Sequence, residues 1–377
     1  MARFTWLSGG GCFRHSLLMQ PNYNQFLLLF AFKNLTMAFS RRRILGLLLC
    51  GLALQALPAD KATNVGKADF LPAHAAPRKL AADLGSSAAD GVFPRSVAHY
   101  LGSTRLAQPP LRVAVLSTGQ NDGLLTLGLV PVGTTRDDQG RLYADYLAQG
   151  FAPRQAEMRR TADLGVRSAP DLEVLAALRP DLILVNKAML TPQMHALYQR
   201  IAPTVVTRGN GVNWKIDFLL LADALGRSEQ ARAWLKQYHA DANALAQHWQ
   251  ADAAPSVSFV QANAVRNRIM GVRSFAGSIA EDAGLQRPPS QRFAGNSQDI
   301  SGELLDQADA DWIFYAARDK SLPGLTGSPL WPRLRGAAQG HAVRVGLDPF
   351  YLNAGPLAAR TVLSTLARTA ATALPNP

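Results

Sequence analysis

Glu173 and Glu303 occupy matching places in a segment that the chain uses twice. Glu173–Leu184 reads EVLAALRPDLIL and Glu303–Phe314 reads ELLDQADADWIF. The glutamates, Leu175 with Leu305, Asp181 with Asp311, and Ile183 with Ile313 all coincide. A carboxylate at a helix start is favoured by the helix dipole, by about 0.3–1 kcal/mol. The basic residues are scattered arginines, whose planar forks donate hydrogen bonds in pairs to anionic oxygens. Catalytic signatures are missing. No Gly-x-Gly-x-x-Gly follows a strand, and there is neither a Walker lysine nor a Gly-x-Ser-x-Gly elbow. Gly119 and Gly123 flank a loop without making a phosphate fingerprint. A directly bound metal ion needs several histidine and carboxylate ligands, and no such set is visible: His195, His239 and His248 fall on helices. The residues point to binding rather than catalysis.

The elements that must carry these side chains follow from the first copy of the repeat. Ser168, with Asp171 three residues on, has capping-box spacing. Leu172, Leu175 and Leu178 recur at helical spacing and face a core. Arg179-Pro180-Asp181 ends the helix, because a residue before proline is pushed out of the α region. Leu182–Val185 is an apolar run suited to a strand buried on both faces. A second echo, Leu127-Gly128-Leu129 against Ala283-Gly284-Leu285, precedes each copy. One unit used twice predicts two similar α/β lobes.

Around these units, Phe93–Leu106 predicts a hairpin turning near Gly102, and Arg112–Ser117 predicts the first core strand. Thr118–Asp122 then reads as a polar loop at a strand's carboxyl end, where α/β proteins place ligands. A short helix follows over Leu124–Leu129. Trp214–Leu225 reads as a helix ending at Gly226. Ser228 caps a longer one with Ala231, Leu235, Tyr238, Ala242, Leu245 and Trp249 on one face, long enough to bridge the lobes. Val257–Val260 opens the second lobe, and a helix from about Pro356 to Ala373 closes the chain.

At 377 residues the chain exceeds the usual size of one core. The formal net charge of +12 invites anionic partners. Dense lysine–arginine runs and interleaved aromatics are absent, which argues against nucleic acid. Part of the charge lies in a leader. Ser40-Arg41-Arg42-Arg43 before an apolar run to Leu57 has the form of a secretory signal and resembles a twin-arginine signal. Met37 then reads as the true initiator, with cleavage after Ala59 or near Ala73-His74-Ala75. Cys50 only loosely resembles a lipobox cysteine, since Leu49 is large where a small residue is wanted, and lipid anchoring is disfavoured. Cys12 and Cys50 are the only cysteines, so the mature chain has no thiol chemistry. The expected organisation is a leader over 1–59, a mobile linker over 60–91, a first lobe over 92–210, linking helices over 211–252 and a second lobe over 253–377.

Six blocks carry a family resemblance in order: FPRSVAHYLGSTRLAQPPLRVAVLSTGQNDGLLTLGLVPVG, LGVRSAPDLEVLAALRPDLILV, RIMG…SFAGSIAEDAGL, ISGELLDQADADWIF, PLWPRL and YLNAGPLAA. From about Phe93 to Ala371 the chain resembles the iron–siderophore substrate-binding proteins of ABC importers. The resemblance implies a class III periplasmic binding protein: two doubly wound α/β lobes joined by one long helix, with the ligand in the cleft. It implies a ferric siderophore, hydroxamate type favoured, as transported ligand and no cofactor. It implies a periplasmic, monomeric protein that delivers its ligand to an inner-membrane permease. Residue by residue, Arg167 matches the arginine that contacts the chelate in hydroxamate-binding relatives. Arg266, Arg268 and Arg318 follow second-lobe strands, and Phe350 and Tyr351 stand at a ligand position. Glu173 and Glu303 match the glutamates that dock into arginine pockets of the permease. Trp214 and Trp331 read as mainly structural. Haem or cobalamin is the alternative cargo on the same fold, Tyr351 being an available axial ligand for haem.

Overall fold

Two sheets, the first mostly parallel and the second mixed, are built around the two copies of the repeat and form the frame. The computed structural model describes residues 79–209, 211–249, 254–318 and 322–372. All of them fall in one compact unit, Asp60–Pro377. The export signal, the proposed initiator, the cleavage sites and both cysteines lie outside the described residues.

An antiparallel hairpin, β1 (Arg95–His99) and β2 (Gly102–Leu106), precedes the first sheet. It turns at Gly102, whose φ of +122° suits only glycine. The first sheet contains β3 (Val113–Val115), β4 (Gly133–Arg136), β5 (Ala162–Val166), β6 (Ala169–Pro170), β7 (Leu182–Asn186) and β8 (Thr204–Thr207), in the order β6-β5-β4-β3-β7-β8. Only β6 runs antiparallel. The second sheet contains β9 (Val257–Ala262), β10 (Asn267–Met270), β11 (Ser297–Ile300), β12 (Trp312–Ala317) and β13 (Ala342–Arg344), in the order β11-β10-β9-β12-β13. Its β9, β12 and β13 are parallel, while β10 is antiparallel to both neighbours.

The repeat is a repeat of structure. Glu173 begins its short helix and Glu303 its 3-10 turn, both exposed. Leu175, Leu305, Ile183 and Ile313 are all fully buried. The upstream echo is a pair of helix endings. Gly128 and Gly284 adopt φ of +81° and +71°. Leu129 N donates to Leu124 O, and Leu285 N to Ala280 O, which closes each helix in a Schellman motif.

Several local expectations are corrected. Asp171, not Ser168, caps the helix Leu172–Ala177, its carboxylate accepting from the amides of Glu173 and Val174 at 3.0 Å each. Ser168 lies in the tight turn between β5 and β6. Thr118–Asp122 is no loop but the start of a helix, Thr118–Thr126. Its polar residues reach distant partners: Asn121 Nδ2 donates to Thr134 Oγ1 at 3.0 Å, and the Asp122 carboxylate accepts from the amides of Leu357 and Ala358 at 2.8 and 2.9 Å. Ser228 does not cap the long helix. The side chain of Asp90 accepts from Ser228 N and Glu229 N at 2.8 and 2.6 Å. The described end of the expected linker is therefore tied down, and Gly85 also pairs with Ala98 through two 2.8 Å backbone bonds.

The helices Trp214–Ala224 and Ser228–His248 join the sheets. Ala231, Leu235, Tyr238 and Ala242 are fully buried, as the apolar face predicts. A buried ion pair fixes this linker to the helix Phe275–Asp282: Lys215 Nζ lies 2.6 Å from Asp282 Oδ2, which also accepts from the Tyr238 hydroxyl at 2.9 Å. The last helix, Pro356–Thr372, packs against both Thr118–Thr126 and Phe275–Asp282. Asp122 at its amino end is thus a clasp between the two halves.

Candidate functional site

The carboxyl ends of parallel strands expose amides and side chains to a ligand, and a cavity of about 240 Å³ lies there. Thr118, Gly119 and Gln120 reach it from the helix after β3, Arg167 from the end of β5, Asn186 from β7, and Thr207 and Gly209 from β8. Trp214, Asp217 and Phe218 close it from the first linking helix. Leu352, Ala354 and Gly355 close it from the segment that follows the second sheet. The backbones approach closely: a Cβ on Gly119 would lie 3.4 Å from the Ala354 backbone.

Arg167 is half-buried in this wall and has no ion pair among the described residues. The two carboxylates that could neutralise it locally are otherwise engaged. Asp163 pairs with Arg136, and Asp171 caps its helix. Asp217 shares the cavity. Its carboxylate accepts the amides of Arg208 and Gly209, both at 2.9 Å. Burial raises its pKa to about 7 against the lowering effect of those two bonds. The wall therefore holds one unneutralised guanidinium, one carboxyl poised near neutrality, and amide and hydroxyl groups. This arrangement can orient an oxygen-rich anionic ligand. Among the described residues no cluster of three histidine, cysteine, aspartate or glutamate side chains is placed to hold a metal ion.

The other expected site residues are not gathered around this cavity. Arg266 and Arg268 share Asp299, at 2.7 and 2.8 Å, beside a second hollow of about 520 Å³ at the β9–β10 turn. Arg318 follows β12 and pairs with Asp138, which belongs to the loop after β4. Phe350 faces inward, 2% exposed, with its ring against Phe259 and Phe314. The Tyr351 hydroxyl donates to Phe314 O at 2.8 Å, and burial raises its pKa. The π-helical turn Asp348–Leu352 explains the difference from the expected ligand position: it rolls both rings into the second lobe and brings Leu352 to the cavity. Tyr351 is thereby engaged and not presented as an axial ligand. Trp214 is both core and wall, with its ring edge-on to Trp234, Tyr238 and Phe275.

Sequence reasoning marked the Thr118–Asp122 segment that holds Gln120 but missed Asn186, Asp217 and Arg344. Asn186 carried a signal, a polar residue directly after the apolar strand LILV. Asp217 carried none, because its role depends on the fold of the preceding turn. Arg344 ends β13 and lines a third hollow of about 410 Å³ with Ala317 and Gly346.

The chain belongs to the periplasmic binding protein family, whose profile matches residues 113–347. It is a substrate-binding protein and not an enzyme, and its fold is that of the class III members. A probable siderophore-binding lipoprotein of Bacillus subtilis is 28% identical over 71% of this chain and 85% of its own length. The Fe(3+) dicitrate-binding periplasmic protein of Escherichia coli is 24% identical over 72% of this chain and 88% of its own. Among solved structures, Staphylococcus aureus SirA complexed with staphyloferrin B matches with a TM-score of 0.64 and 24% identity. The match covers 73% of this chain and 97% of that one. The triscatecholate siderophore binding protein of Bacillus subtilis complexed with ferri-bacillibactin matches at 0.62 and 18%, covering 74% and 98%. These two likenesses are likenesses of fold.

Proposed function

We propose that the chain captures a ferric siderophore between its two lobes and delivers it to the permease of an ABC importer. The observation that carries the reading is Arg167, which lines the cavity at the carboxyl end of β5 without a carboxylate partner among the described residues. Relatives named for siderophore and ferric citrate binding support the ligand class. A hydroxamate is the favoured type, because a single unpaired arginine in the wall suits a complex of low net charge. The catecholate and citrate ligands named for similar proteins are the competing classes. Haem loses its best protein ligand in this arrangement, since the Tyr351 hydroxyl is committed to Phe314 O.

Glu173 and Glu303 are the proposed docking pair, one exposed carboxylate on each lobe. The lobes are assigned to 92–210 and 253–377, and the working unit is a single chain. Export is proposed to use the twin-arginine signal at Arg41-Arg42. Two of the relatives are named as lipoproteins, which makes Cys50 the competing anchor.

The ligand reading is tested by titrating the full mature chain with ferric hydroxamates, catecholates and carboxylates. Arg167→Ala is expected to weaken binding roughly ten- to a hundredfold, since hydrogen bonds to charged groups contribute about 1.5–3 kcal/mol. Arg167→Lys recovers only part, because a point charge lacks the fork. No binding across the panel would remove the siderophore assignment. Wild-type affinity in Arg167→Ala would remove Arg167 from the site.

A further inference from the structure

The loop after β4 reaches the second lobe twice. Its shape is fixed from within: the Asp137 carboxylate accepts from Gln139 N and Arg141 N at 2.9 and 2.8 Å, and Asp137 N donates to Arg141 O at 2.8 Å. Arg141, braced by Asp137 and Asp145, donates to Asp348 across the lobes at 2.8 Å. Asp138 is displayed beside it and pairs with Arg318.

The two inter-lobe pairs differ in kind. Arg141 and Asp348 keep 25% and 13% of their side chains exposed, against 42% and 49% for Arg318 and Asp138. An exposed pair contributes little, shifting an equilibrium by no more than about fivefold. Arg318 is also held where a ligand can meet it. Its amide donates to Ala262 O at 2.9 Å, which fixes it beside the carboxyl ends of β9 and β12. The cavity as it stands holds about 240 Å³. Ligands bury themselves in about 300–1,000 Å³, so a bulky chelate extends beyond it along the carboxyl ends of the strands, the side on which Asp138 follows β4 and Arg318 follows β12.

We infer that Asp138 sets the affinity of the cleft by occupying Arg318 as an internal stand-in for the ligand's anionic oxygens. The inference rests on the siderophore reading above. Any ferric oxygen chelate presents negatively charged hydroxamate, catecholate or carboxylate oxygens, whatever its net charge. Such oxygens take the place of Asp138 on the guanidinium, while Arg141 and Asp348 keep the loop against the second lobe. Asp138 is thus an affinity-setting residue that acts through Arg318 and touches no ligand. Its carboxylate also repels an anionic chelate, so removing its charge helps anionic complexes most.

The test uses the full mature chain and two probes, ferric citrate and a neutral ferric trihydroxamate, titrated into wild type, Asp138→Asn and Asp306→Asn. Asp306 is exposed in the 3-10 turn Gly302–Ala308 and supplies the same change in net charge from a different element. Asp138→Asn should bind ferric citrate about three- to fivefold more tightly than wild type, with a smaller gain for the trihydroxamate, consistent with the limit for an exposed pair. Asp306→Asn should stay within about 1.5-fold of wild type for both probes. Arg318→Ala should bind more weakly than wild type and lose the gain when combined with Asp138→Asn. Wild-type binding with Asp138→Asn no tighter than Asp306→Asn would overturn the role of Asp138 alone. Failure of the wild type to bind either probe would overturn the siderophore reading and this inference with it.

Discussion

Asp181 and Asp311 perform one task in two places. Each stands directly before the strand of its repeat copy, β7 or β12, and accepts the backbone amide of the residue before the neighbouring strand, Arg112 at 2.9 Å and Ser256 at 2.8 Å. Each thereby sets the register of a parallel pair, β3 with β7 and β9 with β12. Eight residues upstream of each aspartate stands an exposed glutamate, so two rigid strand pairs present matched carboxylates.

Docking is expected to depend on that match. Glu173→Ala combined with Glu303→Ala should abolish iron uptake in cells while ligand affinity stays within about twofold, well below the roughly 1.4 kcal/mol of a tenfold change. Uptake assays beside in vitro titrations check this. Normal uptake by the double variant would leave both glutamates as helix-start residues only.

Stability should hinge on Asp282. Replacing it with alanine removes the carboxylate that lies 2.6 Å from the buried Lys215 ammonium, and breaking a buried pair costs about 3–5 kcal/mol. Lys215→Met added to Asp282→Leu should recover much of the loss, because both charges then leave the interior. Urea unfolding of the three proteins measures it. A single variant that unfolds at the wild-type midpoint would show the pair to be energetically idle.

Acid sensitivity should trace in part to His99. Its ring accepts from Leu101 N and bonds Thr104 Oγ1, and burial, assisted by His195, lowers its pKa to about 4. The folded state therefore binds fewer protons than the unfolded one between about pH 6.5 and 4, and stability is lost as pH falls through that window. Asp122, raised by burial to about 6, and Asp217, raised to about 7, act with the opposite sign. They favour the folded state at low pH and lose that advantage as pH rises from about 4. His99→Gln should consequently lose less stability than wild type between pH 7 and pH 5. Unfolding midpoints at the two pH values decide the matter, and equal losses would exclude His99.

Export should fail when Arg41, Arg42 and Arg43 are all replaced by lysine, leaving precursor in the cytoplasm. Fractionation with immunoblotting reads the outcome. Unchanged export would exclude the twin-arginine route. Fatty-acid labelling that disappears in Cys50→Ala would show a lipid anchor.

Much of the frame was legible because its determinants are local. The repeat, the Gly128 and Gly284 endings and the buried face of Ser228–His248 each rest on residues within a few turns of one another. What escaped were partners far apart in the chain. Asp90 caps a helix that begins at Ser228, and Asp138 meets Arg318 from 180 positions away. The arginines were recognisable as donors, but which were already neutralised depended on that long-range closure. Of the arginines, only Arg167 was both foreseen at the site and found lining the cavity. Phe350 and Tyr351 sit in the π-helical turn Asp348–Leu352, which the sequence did not announce, and neither lines the cavity.

The clasp at Asp122 also carries a timetable. Its carboxylate waits for the amides of Leu357 and Ala358, the former 235 positions later in the chain. At the usual pace of about 5–20 residues per second, a ribosome needs roughly 12–47 s to make that stretch. Through this interval the Asp122 carboxylate lacks its two amide donors and the helix Thr118–Thr126 has a face without the last helix. The first half of the molecule is thus born incomplete and is finished by the helix Pro356–Thr372.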